Sequence, residues 1–230
     1  MILEAEKIFL NADTLQELQS FCSKEAVSAV NLIMYAYVQA VMKVLDLDKA
    51  LFSLLTTGRH IPVEGVWQTA GCFLQEIPVM VFRGDSPREF KKRYNEAETF
   101  SYVSKDIMNQ RLENFIKDTF DLLNYDIKLQ ILNAQDYNLP QLRKRVFQDP
   151  ESEEYYKVYT INDYENMPVN SFIINRDDGY AVYLHRDVRL IGKDDFHRIA
   201  DEMRDILKSF TRYGKPRTLQ QLVYEKSGKY

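Results

Sequence analysis

The run Ala50-Leu51-Phe52-Ser53-Leu54-Leu55-Thr56 constrains the fold more than any other stretch of the chain. It lacks polar–apolar alternation, so a strand built from it has no face suited to water. Such a strand belongs to the interior of a sheet covered on both sides. The chain has 230 residues, enough at ~150 per domain for one large domain or two small ones with a real core. With 45% hydrophobic and 28% charged residues, it reads as an ordered globular protein rather than a disordered or fibrous one.

The remaining segments predict strands and helices around that run. Glu6 to Asn11 is a short strand candidate, followed by a helix capped by Asp13 with Gln16 as its capping-box partner. Leu15, Leu18 and Cys22 recur on it at helical spacing. A second helix from Ser28 to Leu45 places Leu32, Tyr35, Val38, Met42 and Leu45 on one stripe. Thr57 to Gly71 is a loop, and Glu76 to Phe82 a further strand. Ser86, with Pro87 behind it and Glu89 closing a capping box, starts a helix reaching about Lys105.

A shorter helix is predicted near Asn109 to Phe120, and a one-face-polar strand from Tyr125 to Asn133. Asp136 to Glu154 reads as a charged surface excursion, and Tyr155 to Ile161 as another strand. Ser171 to Asn175, Asp177-Asp178-Gly179 and Tyr180 to His185 form a hairpin signal, because Asp-Gly supplies the backbone a tight turn needs. Asp194 starts a last helix with Phe196, Ile199, Met203, Ile206, Leu207 and Phe210 on one face. The expected fold class is therefore α/β, an α+β sandwich with a mixed β-sheet and helices packed on it.

Several function classes fall away early. The net charge of −4 argues against a general nucleic-acid binder. Two cysteines, Cys22 and Cys72, cannot build a disulfide framework or a structural zinc site, and His, Asp and Glu do not cluster at ligand spacing, so no metal is expected. No phosphate-cradling glycine loop is present. The N-terminal Met1-Ile2-Leu3-Glu4-Ala5-Glu6 carries acids where a secretory signal has positive charge, and the uncharged run Ala26 to Met42 is short of a bilayer span. A cytoplasmic location is the default expectation. Residues 211–230 read as a polar basic tail or linker after a domain of residues 1–210; Arg212, Lys215, Arg217, Lys226 and Lys229 stand there against the lone acid Glu225.

Gly58-Arg59, then Pro62, then Gly71-Cys72-Phe73-Leu74-Gln75-Glu76-Ile77-Pro78 resemble the C-terminal half of a condensation domain. These amide-forming domains of nonribosomal peptide synthetases belong to the chloramphenicol-acetyltransferase-like superfamily. That family shows a buried strand ending in Gly-Arg, a Pro-containing loop, then Gly-x-Phe-(aliphatic)-Asn-Thr-(aliphatic)-Pro. Ser28 to Thr57 fits the segment leading into Gly-Arg, Asp126 to Asn133 a late strand, and Tyr183 to Phe210 the closing strand and helix. Gln75 and Glu76 depart from the family's Asn-Thr.

The resemblance implies one half of a chloramphenicol-acetyltransferase-like fold. It also implies a subdomain that helps form a tunnel for phosphopantetheine thioesters on carrier proteins, with Arg59, Gly71, Phe73, Gln75 and Glu76 as tunnel residues. No cofactor is bound by the chain itself on this reading. Carrier proteins, an N-terminal half-domain or a second copy of the chain are the implied partners. The family's catalytic His-His-x-x-x-Asp-Gly motif belongs to the other half, so this half alone is expected to be an inactive part of an acyltransferase. The alternative is a noncatalytic interaction or oligomerisation module derived from such a domain.

Arg59-His60-Ile61-Pro62-Val63-Glu64-Gly65 imitates that catalytic motif. A histidine of near-neutral pKa steered by a carboxylate suits proton transfer from an attacking amine. His60 is thus the catalytic candidate, set against an ordinary loop histidine, because the segment runs into a strand rather than the helix the motif requires. His185 and His197 are read as structural or solvated, Cys72 as a small buried apolar residue, and the scattered tyrosines as packing.

Overall fold

A computed structural model of the chain describes residues 3–56, 64–66, 68–69, 75–99, 127–133, 169–176 and 179–211. In chain order its elements are β1 (Leu3–Asn11), α1 (Ala12–Glu25), α2 (Ala29–Val44), β2 (Lys49–Thr56), β3 (Gln75–Phe82) and α3 (Pro87–Thr99). β4 (Ile127–Asn133), β5 (Val169–Arg176), β6 (Gly179–Asp187) and α4 (Lys193–Thr211) follow. The strands form one mixed six-stranded sheet in the order β1-β6-β5-β4-β2-β3. β4 runs parallel to both β2 and β5, and the other pairs are antiparallel. The expected α/β class with helices packed on a mixed sheet is what is found. The predicted helix at 109–120, the excursion at 136–154 and the strand at 155–161 lie outside the described residues; of the predicted tail at 211–230, Thr211 ends α4 and the rest lies outside them.

Local chemistry sets the element ends. Asn11, not Asp13, caps α1; its side-chain oxygen accepts from the Thr14 backbone N–H at 2.9 Å. Asn11 is also the last residue of β1, so strand passes to helix without a loop, and Asp13 falls in the first turn, where its charge suits the helix dipole. Ser28 caps α2 through a box closed by Asn31: Ser28 Oγ accepts from the Asn31 N–H at 3.1 Å, and Asn31 Oδ1 accepts from the Ser28 N–H at 3.3 Å. The predicted Ser86–Glu89 box is present, with Glu89 Oε2 accepting from the Ser86 N–H at 2.8 Å. Those hydrogen bonds from Ser86 hold the Glu89 carboxyl below its ordinary pKa.

The predicted hairpin forms, with its residues used differently. Gly179 opens β6 and pairs with Arg176, leaving 177–178 as the connection. Gly179 has φ +144°, and a Cβ there would stand 2.1 Å from the Leu10 carbonyl oxygen. Glycine is required both by the backbone and by the close approach of β1.

Side-chain alternation and register divide the sheet into two faces. On one, Ile8 and Leu10 of β1, Val182 and Leu184 of β6, Val169 and Ile173 of β5, Ala50, Phe52 and Leu54 of β2 and Ile77, Val79 and Val81 of β3 form a single core with the helices. α2 is the centre of that layer. It buries Leu32, Ile33, Met34, Ala36, Tyr37, Val38, Ala40, Val41 and Met42, which is most of its circumference rather than the predicted stripe. The sheet lies beneath it, α4 beside it, and α1 and α3 flank it. α4 follows its prediction closely, burying Phe196, Ile199, Met203 and Leu207.

Candidate functional site

The tunnel and catalytic residues expected from the sequence lie on the connection between β2 and β3. Arg59, His60, Gly71 and Phe73 fall outside the described residues. Gln75 and Glu76 open β3, their backbones paired with Thr56 and Leu55 of β2. β3 is an edge of the sheet. Between them a turn is described, in which the Gln68 N–H and the Thr69 hydroxyl both donate to the Gly65 carbonyl, at 3.0 and 2.8 Å. Glu64, which the sequence pairs with His60, is exposed there, whereas Val66 is buried.

The other face of the sheet, on which none of the described helices packs, brings together a different set of residues. Ser53 of β2 is in register with Lys128 of β4, Lys128 with Asn170 of β5, and Asn170 with His185 of β6. In-register neighbours share a face, so Ser53, Asn170 and His185 lie along one line crossing the strands. With strands ~4.8 Å apart the line spans ~14 Å. Its members are 0%, 2% and 3% exposed, respectively. Phe172, Ile174, Ala181 and Tyr183 flank it, equally buried yet outside the helix-side core.

Ser53, Asn170 and His185 are hydrogen-bonding groups on this line, and Lys128 stands in register between the first two. Ser53 Oγ and Asn170 Oδ1 are buried without a hydrogen-bond partner. Burial pushes the His185 pKa down to about 4, so the ring is an uncharged imidazole at neutral pH, with one donor and one acceptor nitrogen. Phe172 packs against it, ring centroids 5.2 Å apart. Two residues along β6, Asp187 is engaged by Arg189, whose hydrogen bond and charge push the carboxyl down to about 2.

His197 behaves as its sequence position indicates. It is exposed on α4 with Nδ1 3.0 Å from Glu6, which also takes Arg204, tying α4 to β1. Of the two readings offered for His185, structural or solvated, its 3% exposure selects the structural one. Ser53 and Asn170 are unremarked in the sequence reading, although a serine in the middle of Ala50–Thr56 and an asparagine leading into Phe172-Ile173-Ile174 were the available signals. Among the described residues no group of three His, Cys, Asp or Glu side chains stands close enough to hold a metal. No single described helix is long and apolar enough to cross a membrane.

Comparison with known proteins addresses the fold. The condensation domain of the monacolin K polyketide synthase MokA superposes with a TM-score of 0.66 at 11% identity, covering 92% of this chain and 48% of that one. The PapA2 acyl transferase gives 0.62 at 11% identity, covering 91% and 44%. The epimerization domain of the third module of tyrocidine synthetase B gives 0.59 at 12% identity, covering 92% and 48%. A curated relative, the FR901469 synthetase of Dothideomycetidae sp. (strain 11243), is 29% identical over 92 residues. That stretch is 40% of this chain and, to the nearest percent, 0% of the synthetase.

A family model described as C-5 cytosine-specific DNA methylase matches residues 104–216, just under half of the chain. The described part of that stretch, β4, β5, β6 and α4, belongs to the same sheet and helix layer as β1 to β3. The stretch contains neither of the two cysteines and so carries no thiol nucleophile. The fold is thus that of condensation and acyltransferase domains, as the resemblance read from Gly58–Pro78 implied, and the chain spans about half of such a domain.

Proposed function

We propose that the chain acts as the C-terminal subdomain of a condensation-like acyltransferase of nonribosomal peptide synthesis, working in the cytoplasm. It forms one wall of the channel that admits phosphopantetheine thioesters carried by partner proteins. The observation that supports this most is the double coverage: 92% of this chain but only 48% of a condensation domain. On this reading the β2–β3 connection faces the channel. Arg59 braces its loop or meets an anionic group, Gly71 and Phe73 shape the wall, and the Gln75 amide holds a carbonyl or a pantetheine amide. His60 is a loop residue, and the proton of the attacking amine is handled by the other lobe.

Complementation tests the reading. A separately produced N-terminal half-domain bearing His-His-x-x-x-Asp-Gly, mixed with this chain, is expected to bind it and to gain amide-forming turnover with acyl-pantetheine donors. Failure of the two to associate argues against it. Phe9 and Phe82, 43% and 39% exposed on the two edge strands, favour a second reading, a noncatalytic docking or oligomerising module. Light scattering separates the two: self-association without complementation supports the second. Methyl transfer to cytosine, the activity the match over residues 104–216 would bring, is checked by incubating the chain with duplex DNA and a methyl donor, with no transfer expected.

A further inference from the structure

An open sheet has two edges, and each edge offers backbone N–H and C=O groups to any extended chain that reaches it. Here the edges are β3 and β1, and they are finished differently. On β3 the Phe82 N–H donates to Asp85 Oδ2 at 2.9 Å, and the Phe82 carbonyl accepts from Gln39 Nε2 at 3.0 Å. Pro78 stands four residues earlier, so it is turned the same way along the strand, and it has no N–H to offer. A strand added to β3 would meet a missing donor at one position and occupied groups at another. β1 carries none of these devices. It runs for nine residues, Leu3–Asn11, without a proline, and among the described residues no side chain caps the backbone of Ala5 to Ile8.

The side chains of β1 state what would lie beside it. Ala5, Lys7 and Phe9 are in register with His185, Tyr183 and Ala181, so they stand on the face away from the described helices. Ala5 is exposed there and Phe9 is 43% exposed. The Lys7 ammonium lies 5.9 Å from the centroid of the Tyr183 ring and forms no ion pair with a described carboxylate. Its neighbour Glu6 is turned to the opposite face, held by His197 and Arg204 of α4. From this contrast between the edges we infer that β1 is an interaction surface that takes an extended segment of another protein as a seventh strand. That segment carries an acidic side chain beside Lys7, with apolar side chains two residues away on either side, next to Ala5 and Phe9. Main-chain hydrogen bonds supply the affinity and these three side chains the selection. A second copy of the chain fits less well, because two antiparallel β1 strands in full overlap set Lys7 against its own copy. The inference does not depend on the channel reading of the β2–β3 connection, so a failed complementation leaves it standing.

The test is amide hydrogen exchange on the full-length chain with the capped peptide Thr-Val-Thr-Glu-Thr-Val-Thr, set against the same peptide with lysine at its centre. The glutamate peptide is expected to slow the outward amides of β1 saturably and to leave those of β3 unchanged. It is expected to bind roughly three- to tenfold more tightly than the lysine peptide, the scale of a cross-strand charge pair changed from attractive to repulsive. Lys7→Glu is expected to reverse that preference, which a merely structural role for Lys7 would not do. If Lys7→Glu does not fold, Lys7→Ala takes its place and is expected to bind the two peptides equally. Overturning results are an absence of slowing at millimolar peptide, equal slowing in β3, equal affinity of the parent chain for the two peptides, or β1 amides already protected in a dimer of the chain seen by light scattering.

Discussion

On the helix side of the sheet, Phe52 meets Phe90 with ring centroids 6.1 Å apart, and the aliphatic rows of five strands close against α2 and α4. On the other side the same strands, one residue along, present Ser53, Asn170 and His185 among Phe172, Ile174 and Tyr183. Both faces are buried. The first is a two-layer core of mostly apolar side chains, in which the Tyr37 hydroxyl donates to the Val169 carbonyl at 3.3 Å and Ser171 is the unpaired exception. The second buries groups that need partners, at a desolvation cost that shape does not offset. The two faces therefore differ in the chemistry of what they bury, not in how deeply they bury it.

The largest effect expected from breaking this contrast lies on the helix side. Phe52→Ala should cost ~3–5 kcal/mol, the range for truncating a fully buried aromatic, read as a lowered denaturation midpoint with unchanged slope.

Next comes pH. His185 has its folded-state pKa depressed from 6.5 to about 4, so between those values the unfolded chain binds the extra proton. Stability should be full above pH 6.5, fall by up to ~3 kcal/mol as pH drops towards 4, and level off below. His185→Phe should flatten that slope. Asp187, pushed down from 3.8 to about 2, stays ionised through the window and loses its contribution only at lower pH.

Gly179→Ala should cost ~1–3 kcal/mol by forcing a Cβ onto the Leu10 carbonyl and straining a backbone glycine alone adopts readily. The damage should appear first as faster hydrogen exchange across the β1–β6 pair.

The smallest effects come from two serines compared directly. Ser28→Ala removes a cap with a paired hydroxyl and should cost ~1 kcal/mol. Ser171→Ala removes an unpaired one and should be neutral or slightly stabilising.

Much of this architecture could be read from the residues, because the signals were local. Ala50–Thr56 announced a strand covered on both faces, Ser86-Pro87-x-Glu89 announced a helix start, and Phe196 to Leu207 announced the buried face of α4. Where local signals competed, the nearer partner won: Asn11 reached the Thr14 amide and left Asp13 inside the helix. The stripe read on α2 was too narrow, because a helix at the centre of its layer is packed by the sheet below and by neighbours on its flanks.

The line through Ser53, Asn170 and His185 was not readable in advance. Asn170 and His185 pair across the β5–β6 hairpin, but Ser53 stands more than a hundred residues before Asn170 and joins them only through the register of β2, β4 and β5, which no local pattern encodes. The residues picked out by family resemblance, Arg59, His60, Gly71 and Phe73, lie on the connection outside the described residues, while Gln75 and Glu76 hold their strand positions at the start of β3.

The central claim, that this chain is one lobe of a two-lobed transferase, is tested most directly by assaying the purified chain alone for amide or ester formation from acyl-pantetheine donors and amine or alcohol acceptors. The account predicts product formation no faster than the uncatalysed background. Multiple turnovers by the isolated chain, abolished by a single substitution of one of its own histidines, would contradict it.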